Sequence, residues 1–404
     1  TSLIPPKSSC ALFTGSCSSA VSDEPTPDPL PGALPSRQNS PPPTQEETTT
    51  PQPPEPNQLE HPLQKKWSTT MSITEQYKTL RTSVGLHTPT GPLVRITGDD
   101  RLEFLDTFLS RASDFVDPDT TRECLALTED GLPLTIFLHI EREEESWLLP
   151  RTAIDAATLA TYLGNLETDG DLSIEIAPEG WGAVAVEGPL SWQIAENLLD
   201  FDVAGLVLHA VTDVVVPGAP EGSKAWLARV GTTGEYGYLL VSNVPDLART
   251  YLLSRATELG GQAVDADALA RVQAEAGMPY YAMGVCHLDV AGGDLAWLVD
   301  WQRIGEFQGS ENLPTPVRDQ RRLAAIALPT GNRPEAGQTV AAGDEEIGVV
   351  VYVTPSANPD EELAFALLDA PFWTPTLPLT VGAHDGTTVT LPRVVAASSL
   401  NKLG

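Results

Sequence analysis

Two segments about sixty residues apart hold the side chains with the most chemistry to offer: Arg229-Val-Gly-Thr-Thr-Gly-Glu235-Tyr-Gly-Tyr238, and Gly293-Asp-Leu-Ala-Trp297-Leu-Val, which runs on to Phe307-Gln-Gly309. The first places a carboxylate, Glu235, in a glycine turn between two apolar runs. The second carries an indole, Trp297. As bare residue types they are a turn residue and an aromatic of the kind that commonly fills a core. The other candidates are weaker. Gly218-Ala-Pro-Glu-Gly222-Ser-Lys224 is one residue short of a Walker A loop and lacks its strand and helix, so it reads as a solvated turn. Asp265-Ala-Asp267 stands just before Ala268-Leu-Ala-Arg-Val, where aspartate is expected to cap a helix rather than to act as half of a catalytic pair. Cys286-His287 brings two soft ligands together, but neighbours on a strand point to opposite faces and chelate poorly. No Gly-x-Gly-x-x-Gly follows a strand, which leaves a nicotinamide-binding unit without an anchor.

These residues must be held by a mixture of strands and helices. Leu93-Val-Arg-Ile, Leu134 to Ile140, Ser146-Trp-Leu-Leu, Gly182 to Val186, Ala225 to Val230 and Gly237 to Val241 have the apolar, β-branched texture of strands. Helical spacing is expected at Leu102 to Leu109 with an aspartate cap, around Ala153 to Leu166, from Ser191, and from Val244 to Leu259. This irregular alternation suits antiparallel sheets covered by helices, hence an α+β fold. Beyond Pro314, short strands at Arg322 to Leu328, Gly348 to Val353, Leu363 to Leu368 and Thr387 to Leu391, separated by turn residues, predict a small β-barrel or sandwich. The expected units are a Pro/Ser/Thr-rich tail over 1–70, a main domain over 71–313 and the barrel domain over 314–404. The tail cannot offset its ordering entropy by apolar burial and is expected to be disordered, with Met71 a candidate start.

Composition limits the partners. The 404 residues carry a net charge of −31, which repels phosphate backbones and anionic lipid surfaces, so nucleic acid and membrane are not expected. A small molecule is the expected partner, with the protein a monomer or small homo-oligomer. Cys10, Cys17, Cys124 and Cys286 are too few and scattered for a disulfide framework. A reducing cytoplasm is the default, and no bound metal is expected.

Taken in order, the segments resemble the glycine-cleavage T-protein (aminomethyltransferase) family. The matches are Gly98-Asp99 before Phe104-Leu105, Gly188-Pro189 after a strand, Thr232-Thr-Gly-Glu235-Tyr-Gly237 for a Tyr-Thr-Gly-Glu-x-Gly motif, and Glu275-Ala-Gly277 on a later helix. They continue with Leu295-Ala-Trp297 for a Leu-x-Trp strand, Phe307-Gln-Gly309 before Leu313, and Pro334-Glu-Ala-Gly337 before Gly348-Val-Val-Val. Each motif is weak alone, but the series covers almost everything from Met71 to Gly404. The resemblance implies an aminomethyltransferase-like folate-binding domain, a C-terminal barrel and tetrahydrofolate as cofactor. A pterin is flat and carries N–H donors along one edge, so it needs a carboxylate and an apolar platform. The resemblance gives those roles to Glu235 and Trp297, and it adds Thr232, Gln273 and Tyr281 to the binding residues.

The departures fall where the family does chemistry. Its Gly-Gly-x-x-Asp-Asp stretch is Gly131-Leu-Pro-Leu-Thr135 here, and Thr135, the position of the missing aspartate, can hydrogen-bond but cannot act as a base near neutral pH. The family arginine before Glu-Ala-Gly is Gln273, and its motif tyrosine is Thr232. The Lys-Gly-Cys-Tyr loop of the iron–sulfur-associated relatives has no counterpart in Arg303-Ile-Gly-Glu-Phe-Gln-Gly-Ser-Glu311. The resemblance therefore implies a divergent tetrahydrofolate-dependent methyl or methylene transferase, or demethylase, rather than ordinary glycine cleavage. A folate-independent cyclase or isomerase reusing the pocket, and a non-catalytic folate-binding regulator, stand as alternatives.

Overall fold

The computed structural model describes residues 72–113, 116–166, 170–286, 288–313 and 321–400. The expected N-terminal tail, Met71 and His287 lie outside the described residues. Helix α1 (Ile73–Thr82) opens on a capping box in which Ser72 and Glu75 bond each other's backbone N–H. It leads through β1 (Gly85–His87) and β2 (Val94–Thr97) to α2 (Arg101–Asp106). The long hairpin β3 (Thr120–Leu127) and β4 (Pro133–Glu141) follows, then β5 (Glu145–Pro150), α3 (Ala156–Gly164), β6 (Ser173–Ile176) and β7 (Gly182–Glu187). Helix α4 (Ser191–Glu196), β8 (Val211–Asp213), β9 (Ala225–Ala228), β10 (Gly237–Ser242), α5 (Pro245–Glu258) and β11 (Gln262–Ala263) precede α6 (Ala266–Glu275) and α7 (Pro279–Met283). Strands β12 (Arg322–Pro329), β13 (Thr339–Ala342), β14 (Glu345–Pro355), β15 (Glu361–Leu368), β16 (Pro378–Val381) and β17 (His384–Val389) complete the chain.

The strands form three sheets. One runs β3-β4-β5-β2-β6, a second β11-β1-β7-β10-β9-β8, and the last six strands close into a barrel in the order β12-β15-β14-β13-β16-β17. All named pairings are antiparallel except the short β1–β11 pair. The α+β class and the C-terminal barrel expected from sequence are both present.

Side-chain alternation explains how the open sheets stack. In β7, Ala183 and Ala185 pack toward the five-stranded sheet, beside Leu138, Ile140, Trp147 and Leu149. Val184 and Val186 point the other way, against Ile194 of α4 and Ala248, Leu252 and Ala256 of α5. The outer face of the five-stranded sheet is closed by Phe104 and Leu105 of α2 and Leu159 and Leu163 of α3. Between the sheets, Trp147, Trp181 and Trp226 meet with ring centroids 4.8 to 5.2 Å apart. Their bulk sets the separation of the layers there.

Helix α6 links these layers to the barrel. Ala268 and Val272 pack with Leu80 of α1, while Ala274 packs on Ala325, Leu363 and Phe365 of the barrel. Three local expectations fail. The Leu295-Ala-Trp297 segment is a 3-10 turn over Ala296–Leu298, not a strand, because Leu295 and Leu298 dip into the core under α7 while Trp297 faces out. Asp100 sits at the N-cap of α2 without capping it; its carboxylate instead accepts from the backbone N–H of Asp171 at 2.7 Å. Asp265 occupies the N-cap position of α6 as expected, but its carboxylate is engaged by Gln76 Nε2 at 2.8 Å.

Candidate functional site

The turn between β9 and β10 is built on glycine. A Cβ on Gly237 would lie 2.5 Å from the Gly231 Cα, so the chain can cross itself here only without side chains. Gly234 adopts φ +76, a conformation glycine tolerates at little cost. The next Gly-x signal, Gly188-Pro189 at the end of β7, joins the same construction: the Gly188 N–H donates to Tyr236 O at 2.9 Å.

Just before it, Glu187 organises the turn. Its carboxylate is buried and accepts from Thr232 N at 2.8 Å, Thr232 Oγ1 at 3.1 Å, Thr233 N at 3.0 Å and Thr233 Oγ1 at 2.8 Å. His87 Nε2 lies 3.1 Å away. Burial alone would raise the Glu187 carboxyl, but the hydrogen bond and charge of His87, with the donors of Thr232 and Thr233, outweigh it and hold the pKa down to about 2. The buried carboxylate is therefore ionised and its acceptor capacity used.

Thr232 extends this network to α6, since its hydroxyl accepts from Gln273 Nε2 at 2.9 Å. At the far side of the turn, Glu235 is also buried, its side chain 1% exposed. Arg81 of α1 approaches its Oε1 at 3.5 Å and pins the turn and α6 together by donating to Thr233 O at 3.0 Å and Val272 O at 3.1 Å. Two further donors come from the end of the chain: Ala397 N to Oε1 at 3.1 Å and Ser398 N to Oε2 at 2.9 Å. Beside this set, the Glu275 carboxylate accepts from Tyr77 Oη at 2.7 Å, with Arg81 and Arg271 each 3.7 Å away. Burial raises the Glu275 carboxyl despite those partners.

Thr232, Gln273 and Glu235 are thus brought into one polar set. Thr135, Tyr281 and Trp297 belong to other sets. Thr135 stands opposite Ala126 and alternates with Phe137, so its side chain lies on the face covered by α2 and α3. There its hydroxyl is fully buried and bonded to Thr152 Oγ1 at 2.8 Å. Tyr281 packs against Ile136 and Leu125, on the opposite face of the same strands. Its hydroxyl donates to Glu123 Oε1 at 2.5 Å, and Arg151 lies 3.4 Å from the same oxygen. Burial, reinforced by the Glu123 charge, pushes the Tyr281 hydroxyl well above its ordinary value, which keeps it a proton donor. Trp297 is half exposed on its 3-10 turn, with the Arg111 guanidinium 5.7 Å from the ring centre and donating to Trp297 O at 2.6 Å.

Sequence reasoning missed Glu187, Arg81, Glu123 and Arg151. Glu187 had a signal, since it directly precedes the Gly188-Pro189 motif. Arg81 had none, because its partners lie 152 and 154 residues further along the chain.

Comparison with known proteins adds a second line of observation. A family model described as the GCVT N-terminal domain matches residues 53–303, more than half of the chain. An aminomethyltransferase of Streptomyces coelicolor is 28% identical over 306 residues, covering 73% of this chain and 81% of its own length. One from Geobacillus kaustophilus is 26% identical over 306 residues, covering 74% and 83%. In three dimensions, the glycine cleavage system aminomethyltransferase T from Bartonella henselae superposes with a TM-score of 0.67 over 80% of this chain and 90% of that one, at 16% identity. This likeness shows a shared fold.

Proposed function

The chain belongs to the GCVT aminomethyltransferase family, and from that premise we propose that it is a divergent tetrahydrofolate-dependent transferase that takes a methyl or methylene group from a small molecule. The observation that carries the reading is the buried carboxylate of Glu235 in a rigid glycine turn. Its two oxygens already receive a pair of adjacent backbone N–H groups at 3.1 and 2.9 Å. A carboxylate that accepts from vicinal N–H donors is the chemistry a pterin edge requires, so this acceptor pair fits the cofactor.

On this reading Glu235 would hold the pterin edge, and Glu187, Thr232 and Gln273 would fix the turn behind it. Tetrahydrofolate, when bound, supplies the nitrogen that accepts the one-carbon unit. The protein's own contribution is mainly positioning. The stretch Leu134-Thr135 offers no base, and the Thr135 hydroxyl is spent on Thr152. The proton-bearing group on the other face of these strands is Tyr281, held by Glu123. Ordinary glycine cleavage is disfavoured by the same substitutions: no carboxylate at 134–135 and no guanidinium at 273. The expected setting is the cytoplasm; among the described residues no helix is long and apolar enough to cross a membrane.

Calorimetric titration with tetrahydrofolate tests the reading. Micromolar binding, with a loss of at least about 2 kcal/mol in Glu235→Ala as a charged acceptor is removed, is the expected result. Absence of binding at high micromolar ligand would overturn it in favour of a folate-independent enzyme. Formation of 5-methyl- or methylene-tetrahydrofolate from candidate N-, S- or O-methyl donors would then separate transfer from binding alone.

A further inference from the structure

Arg393 ties the chain to the body of the protein, its N–H donating to Glu275 O at 2.8 Å and its guanidinium to Glu361 at 2.7 Å. Past that point the described hydrogen bonds between residues 394–400 and the rest of the molecule are the two to Glu235, from Ala397 N and Ser398 N. The remaining ones, such as Ser399 N to Ala396 O and Leu400 N to Ala397 O, are internal to the segment. Val395 and Leu400 are 75% and 76% exposed, so the segment gains little from apolar burial, although Ser398 itself is buried. It is a strap fastened at one end by Arg393 and latched at the other by a single carboxylate.

That carboxylate is the one the functional reading gives to the pterin. We propose that the C-terminal segment 394–400 is an intramolecular stand-in for the ligand, whose two adjacent amide N–H groups occupy Glu235 and must leave before a pterin can bind there. The inference rests on the tetrahydrofolate reading and adds its regulation. Oε1 accepts from Ala397 N beside Arg81, Oε2 accepts from Ser398 N, and the side chain is only 1% exposed, so a ligand's vicinal donor pair has no approach to both oxygens while the strap is latched. Ligand and strap are therefore mutually exclusive, and the measured affinity is reduced by the fraction of molecules whose strap is closed.

The test uses the full chain, a version ending at Val394, and Ala397→Pro. The proline substitution deletes one latching N–H and little else: Ala396 already has φ −60 and ψ 131, which suit a residue before proline, and the first position of a helical turn accepts proline. Tetrahydrofolate affinity is measured for all three by calorimetry, with melting curves confirming that the variants are folded. In parallel, amide hydrogen exchange over residues 393–400 of the full chain is followed with and without ligand. The expected result is about tenfold tighter binding in both variants, and faster exchange of the segment in the full chain once ligand is added. Equal or weaker binding in the variants, or unchanged exchange on saturation, overturns the strap while leaving the tetrahydrofolate reading intact. Failure of all three proteins to bind overturns both.

Discussion

The glycine turn at Glu235 and the start of β4 at Thr135 were both candidate halves of one site, and they have been treated differently. At the turn, two buried carboxylates, Glu187 and Glu235, are held by backbone and side-chain donors from four separate parts of the chain. At the start of β4, Leu134 and Thr135 offer no carboxylate, and the Thr135 hydroxyl faces α2 and α3 and bonds a neighbouring threonine. The difference teaches that, on the proposed reading, the geometry for recognising a ligand is built independently of the groups that would react with it. The turn depends on an internal ionic network that fails if one member goes. The strand needs only a polar pair that could be exchanged for an apolar one.

The contrast is broken most severely by Glu187→Ala. Four N–H and O–H donors and His87 would be left facing a cavity, and the expected loss is about 3–5 kcal/mol of stability, read by urea denaturation. If the cost were below about 1 kcal/mol, the network would not be what holds the turn. Acid should reveal the same dependence. The Glu187 carboxyl lies near 2 in the folded protein against an ordinary 4.5, so its contribution is complete above about pH 4.5 and lost as pH falls toward 2. The shift corresponds to about 3 kcal/mol, and the pH-dependence of unfolding should flatten in that window in Glu187→Gln, where the titrating group is absent.

Smaller effects are expected on the strand side. Tyr281→Phe deletes the donor to Glu123 and should cost about 1.5–3 kcal/mol, as a hydrogen bond to a charged group does. Tetrahydrofolate affinity should change far less than in Glu235→Ala, and an equal loss would place Tyr281 beside the pterin edge. Thr135→Val is the mildest test. Alone it strands the Thr152 hydroxyl and should cost about 1 kcal/mol, while Thr135→Val combined with Thr152→Val should recover much of that. Strict additivity of the two losses would show that the hydroxyls do not depend on each other.

The fold was largely legible before the structure was known. Strands such as Gly182 to Val186 and Leu363 to Leu368 are short apolar runs bounded by turn residues, and a signal of that kind survives tertiary packing. The failures were local. Leu295-Ala-Trp297 is expected as a strand only through the Leu-x-Trp motif it resembles, and a three-residue pattern cannot separate a strand from a turn that buries Leu295 and Leu298 and leaves Trp297 facing out. Asp100 has the right type and place for a cap, yet a distant backbone N–H competes for it.

The site was legible only in its parts. The sequence by itself determined the glycines that allow the crossing at Gly231 and Gly237, the carboxylate that follows them, the absence of an acid at 134–135, and the amphipathic elements that build the sheets. Those are properties of residue type and short spacing, which the chain carries wherever it goes. Only the tertiary structure decided which partners these groups found. It set Glu187 beneath the turn, Arg81 between the turn and α6, Thr135 and Tyr281 on opposite faces of one hairpin, and the amides of Ala397 and Ser398 on a carboxylate 162 and 163 residues away. The reason is that a buried charge takes whichever donors the packed chain delivers within about 3 Å, and no sequence period reports which those will be.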